Sequence, residues 1–138
     1  MSAAMIHSRL GTTALLFSGL CFAWGLLNYL RKQPMTSSYW GGLVILEVLM
    51  VVQVVLGAIV FTSGGQLNRA IVHVLYAATT IISLPAAYVY TGGKDTRRES
   101  LLYAVVCLWL LFIVDRSRTT GMETVFPAIS YFTTLLPR

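Results

Sequence analysis

The chain reads as an all-α polytopic membrane protein, a four-transmembrane-helix antiparallel bundle with a short amphipathic C-terminal tail. Two observations predict this. Four apolar stretches fill most of the 138 residues, and charge is scarce, with 57% of residues hydrophobic and 11% charged. Soluble domains carry about 25% charged residues. A hydrocarbon core about 30 Å thick is crossed by a helix of about 20 apolar residues. Open strands are barred from lipid because their edges would carry unsatisfied backbone groups.

The spans are expected at about residues 10–30, 39–61, 70–90 and 100–117. The first is too long for a signal-peptide core and lacks a small-residue cleavage site before its polar flank, so it is expected to be retained. The second carries three polar or small interruptions, Glu47, Gln53 and Gly57. The third carries a polar stripe and Pro85, which removes one backbone hydrogen bond and should kink the helix. The fourth is apolar all round from Leu101 to Val114 and continues through Asp115 and Arg116. The pairs Gly64–Gly65 and Gly92–Gly93 fall between spans as turn formers. Residues 1–118 thus form one transmembrane domain. Residues 119–138 form a tail in which Val125, Phe126, Ile129, Phe132 and Leu136 would share an apolar helical face, suited to the interface or to a partner.

The formal net charge of +5 does not indicate nucleic acid. The basic residues sit at the ends of spans, as interface anchoring requires, and lipid headgroups account for their attraction. Cys21 and Cys107 both lie inside apolar helices without metal or redox spacing, and read as small hydrophobes. An even number of spans puts both termini on one side. The cluster Lys94, Arg97 and Arg98, with Arg31 and Lys32, tips the positive-inside comparison toward that side being periplasmic in a bacterial cytoplasmic membrane.

Arg69, His73, Tyr76, Thr80 and Ser83 recur at steps of four and three, which places them on one face of the third helix. Polar groups in a lipid-embedded helix should face protein, because an unpaired one is costly in hydrocarbon. Short connectors make consecutive spans antiparallel neighbours. On that folding His73 lies level with Gly57, Glu47 lies level with Ser83, and Asp115 and Arg118 share the leaflet of His73. Glu47, Gln53 and Gly57 are therefore expected to meet the stripe, with Gly57 admitting the third helix closely. Thr80 and Ser83 read as interhelical glue, and Asp115 with Arg118 as an interfacial anchor. His7 falls before the first span, so a His7–His73 pair is expected to be strained.

There is no CxxCH, HExxH, P-loop or nucleophile elbow, and no metal-ligand set. Nothing assembles a nucleophile, a base and an oxyanion site, so the chain is not expected to be an enzyme. The segment Gln53–Gly57 (QVVLG), with Thr62–Gly65 (TSGG) and His73–Leu75 (HVL), resembles one half of haem A synthase, a family built from two four-helix units. There a Gln-x-x-x-Gly segment ends one span and a His begins the next. The likeness covers about a quarter of the chain. That family places a second haem-ligand His on the fourth helix of the unit, where this sequence has Asp115 and Arg116. The chain, with His73–Tyr76 (HVLY), also resembles small four-helix accessory subunits of bacterial electron-transfer complexes, such as alternative complex III.

Three functional readings follow. The first is a non-catalytic accessory subunit of a quinol-oxidising respiratory or photosynthetic complex, with other membrane subunits and lipid as partners. No cofactor is then bound by this chain alone, and a quinone or haem shared with partners would be touched by His73 and Tyr76. The second is a small dimeric proton-coupled transporter using Glu47. The third is a haem- or quinone-binding membrane protein using His73.

Overall fold

The computed structural model describes residues 2–64 and 70–121, with side chains through Arg118. Four helices follow one another: α1 (Ala3–Leu30), α2 (Ser37–Thr62), α3 (Ala70–Thr91) and α4 (Arg97–Gly121). Each is long and apolar enough to cross a membrane. The protein is an all-α, multi-pass bundle, as its composition predicts. The helices extend past the expected spans, most of all at the start of α1, which begins at Ala3. The residues of the expected tail beyond Gly121 lie outside the described residues, as does Arg69.

The helix ends follow local chemistry. Ser2 caps α1 by accepting from the Met5 amide at 3.2 Å, and Thr36 caps α2 by accepting from the Tyr39 amide at 3.2 Å. These bonds satisfy amides that the first turn leaves without partners. Thr96, just before α4, and Glu99, in its first turn, stand at capping-box spacing, and the Thr96 hydroxyl donates to the Glu99 carboxylate. Lys32, with φ of 58°, supplies the left-handed residue after α1, and Gly92 and Gly93 do so after α3.

The main seam runs between α1 and α4, which make the most extensive contact in the bundle, whereas α2 and α3 barely meet. This corrects the expectation that α2 would pack along the stripe of α3. The cause is on α1. Its buried residues are Gly11, Ala14, Ser18, Cys21, Gly25 and Asn28, at alternating steps of three and four. Small residues in that register let two backbones approach, and close packing is what associates helices in lipid. Facing them, α4 buries Tyr103, Ala104, Cys107, Leu110 and Val114. The approach is close enough that a Cβ on Gly25 would stand 3.0 Å from the Ala104 Cβ. On α2 (26 residues), the buried residues Tyr39, Gly42, Leu43, Leu46 and Met50 leave the stretch beyond Met50 without a buried residue.

Candidate functional site

All four helices contribute to one polar cluster at the end of the bundle that holds the N-terminus. His7 lies within α1, not before it, and its ring stands 6.4 Å from that of His73 on α3, centroid to centroid, at an interplanar angle of 64°. The expectation of a strained pair is thereby corrected: the helix starts early enough to carry His7 in its second turn. From α2, the Gln53 amide donates to the His7 carbonyl at 2.8 Å. Gly57 seats the His7 ring, since a Cβ there would stand 3.0 Å from its Cε1. From α4, the Ser117 carbonyl lies 3.1 Å from His73 Nδ1 and the Ser117 hydroxyl lies 3.3 Å from it. A carbonyl only accepts, so the 3.1 Å contact calls for a proton on His73 Nδ1.

Gln53 and Gly57 therefore serve α1, not the stripe of α3. Gly11 makes this geometry open, because a Cβ there would meet the Gln53 Nε2 at 3.1 Å. The level match of His73 with Gly57 holds, with His7 between them. His7 Nδ1 is buried and makes no hydrogen bond. Buried polar atoms are nearly always paired, and no described residue pairs this one.

Along α3 the stripe is only half right. Thr80 is buried, but the buried face continues through Leu84, Ala87 and Thr91, leaving Ser83 at its edge. The Thr80 hydroxyl donates to the Ala77 carbonyl at 2.7 Å and the Ser83 hydroxyl to the Thr79 carbonyl at 2.6 Å. Both satisfy themselves on their own helix and do not act as interhelical glue. Tyr76 is half-buried one turn from His73. At the end of α4, Asp115 is exposed and Arg118 half-buried.

Glu47 sits elsewhere, in the groove left by the thin α2–α3 contact. Trp40, Leu43, Val44, Leu84, Pro85, Tyr88 and Tyr103 line a cavity of about 180 Å³ with it. Its Oε2 atom is buried and has no hydrogen-bond partner. Glu47 and Leu84 share this cavity, so the expected level of Glu47 near Ser83 holds, although Ser83 gives it no bond.

The third constellation is one that spacing alone concealed. Cys21 of α1 and Cys107 of α4 are both fully buried free cysteines on the two faces of the main seam, near enough to influence each other electrostatically. The Tyr39 hydroxyl donates to the Cys21 carbonyl at 3.2 Å and the Cys21 thiol lies 3.9 Å from the Gly42 carbonyl. Both cysteines are part of the packed core, in keeping with their reading as small hydrophobes, and spacing alone did not show that they neighbour each other. Among the described residues no three His, Cys, Asp or Glu side chains converge as a metal cage.

Sequence reasoning missed His7, Ser117 and the cysteine pair. A signal for the first and third existed: His7, Gly11, Ala14, Ser18, Cys21, Gly25 and Asn28 follow one another at steps of four and three. No family model matches the chain, and no curated protein or solved structure matches it either.

Proposed function

We propose that the chain is a non-catalytic accessory subunit of an electron-transfer complex in a bacterial cytoplasmic membrane, and that the His7–His73 cluster contacts a haem or quinone shared with partner subunits. The observation that carries this reading is the convergence of two imidazoles inside an apolar bundle, held by one residue or more from every helix. Ionisable groups within a membrane mark functional sites by default, and imidazole is both a metal ligand and a proton carrier near neutral pH.

Imidazole suits either group, as a ligand of iron or as a hydrogen-bond partner of a quinone oxygen. The orphaned His7 Nδ1 equally suits a hydrogen bond with a quinone oxygen. Bound there, the group would supply electron transfer. Gln53 fixes the backbone of His7, Gly57 fixes its ring position, and Ser117 fixes the tautomer of His73. Each is the outer-shell device that orients an imidazole toward a ligand.

The test is purification of the tagged chain from native membranes in mild detergent, with partner mass spectrometry, an absorbance spectrum and quinone extraction. Stoichiometric cytochrome or quinone-enzyme subunits, with a cofactor signal that His73→Ala diminishes, are the expected result. A colourless, quinone-free preparation of this chain alone overturns the reading.

A further inference from the structure

The α2–α3 groove carries chemistry that the histidine cluster does not. Gly57 lies ten residues beyond Glu47 on α2, about 15 Å at 1.5 Å per residue, so the two sites stand at different depths. We propose that the groove binds a lipophilic organic cation, an amine or quaternary ammonium whose positive centre rests on the Glu47 carboxylate among the rings of Trp40, Tyr88 and Tyr103.

Three observations lead there. First, the Glu47 carboxyl has a buried oxygen with no partner, and no Lys, Arg or His lines the cavity around it. The other titratable groups there are Tyr88 of α3 and Tyr103 of α4, and α1 contributes no lining residue. A carboxylate in hydrocarbon demands a counter-charge, and none of the described residues lining the cavity supplies one.

Second, the walls are aromatic. Trp40 meets Tyr88 at 5.9 Å and 77°, and Tyr103 at 5.2 Å and 68°, centroid to centroid. Rings set at right angles turn different faces to one volume, and ring faces attract cations more strongly where water is excluded. The Tyr103 hydroxyl is already engaged with the Thr91 hydroxyl at 3.1 Å, so that residue offers its ring.

Third, the mouth opens to lipid. Val44 is 60% exposed and Tyr88 55% exposed. About 180 Å³ admits a charged headgroup, while an apolar tail remains in the bilayer.

The probe is benzyltrimethylammonium, titrated calorimetrically into the full chain in nanodiscs of neutral lipid. Its uncharged carbon isostere, neopentylbenzene, serves as competitor. Wild type is expected to bind saturably at one site. Glu47→Gln should weaken binding about tenfold or more, as loss of one partner of a buried charge pair does. Val44→Trp, placed on the lipid-facing rim, should block the cavity while keeping the carboxylate, and neopentylbenzene should not displace the probe.

Absence of saturable binding overturns the proposal. So does equal binding by Glu47→Gln, or displacement by the neutral isostere. Should Glu47→Gln fail to fold, the Val44→Trp and competitor results decide alone. The measurement needs no partner subunit, so it stands or falls apart from the electron-transfer reading. Binding without uptake into proteoliposomes would keep the site and remove proton-coupled transport through Glu47.

Discussion

Gly25 and Gly41 sit on successive helices and differ in what surrounds them. At Gly25 a Cβ would meet the Tyr39 ring at 2.9 Å and the Ala104 Cβ at 3.0 Å, whereas at Gly41 nothing lies within 4 Å. Overfilling a packed interior costs about 1–3 kcal/mol, and replacing an open helical glycine by alanine gains up to about 1 kcal/mol. Gly25→Ala should therefore lower the thermal midpoint in detergent, while Gly41→Ala should leave it unchanged or raise it. Equal effects would mean that the α1–α4 approach is looser than described. Single residues were legible from sequence where they broke a rule of lipid. Glu47, Gln53 and His73 stood out as polar groups in apolar helices; Gln53 and His73 join a polar cluster and Glu47 lines a cavity. Their partners were not legible, because the polarity of a residue says that it needs company but not from which helix.

At the scale of elements, the α1–α4 seam is the part most open to a direct check. Cys21 and Cys107 neighbour each other across it, fully buried. Oxidation with diamide should join them within one chain: each thiol gives up a hydrogen, diamide is reduced to its hydrazine, and the protein mass falls by two hydrogens. Cys21→Ala or Cys107→Ala should abolish the change. Reaction only between chains, or none after prolonged exposure in partly unfolding detergent, would place the two helices apart. Four helices and their approximate ends could be read from apolar length, but their pairing could not. Short connectors suggested that consecutive spans pack as neighbours, which holds for α1–α2 and α3–α4, but the main seam joins the first and last helices through a run of small residues from Gly11 to Gly25. In lipid no hydrophobic gain separates one apolar face from another, so backbone approach decides. The same effect misled the reading of α3. A heptad count carries the stripe from His73 to Ser83, whereas the buried face turns toward Leu84, Ala87 and Thr91.

For the whole molecule, the two connectors at the end opposite His7 form one structure. The Met35 amide donates to the Asp95 carbonyl at 2.8 Å, the Arg97 Nε donates to the Tyr29 carbonyl at 2.9 Å, and the Arg97 guanidinium lies 4.2 Å above the Tyr29 ring. Arg31, Lys32, Lys94, Arg97 and Arg98 are all exposed there. Two separate pairs of basic residues would bias insertion weakly. Tied together, they make one cationic end, while the other end carries exposed Arg9 and Arg116 and half-buried Arg118 among its described residues. Positive charge near span ends is retained on the cytoplasmic side, so the connector end should face the cytoplasm and the histidine cluster the periplasmic half of the bilayer. Single cysteines read this directly, since Cys21 and Cys107 are fully buried and give little background. In intact spheroplasts an impermeant maleimide should label Ser2→Cys and Ser63→Cys. It should reach Gln33→Cys and Asp95→Cys only after the membrane is permeabilised. The reverse pattern would invert the molecule, and His7 and His73 would then meet a cofactor from the cytoplasmic half.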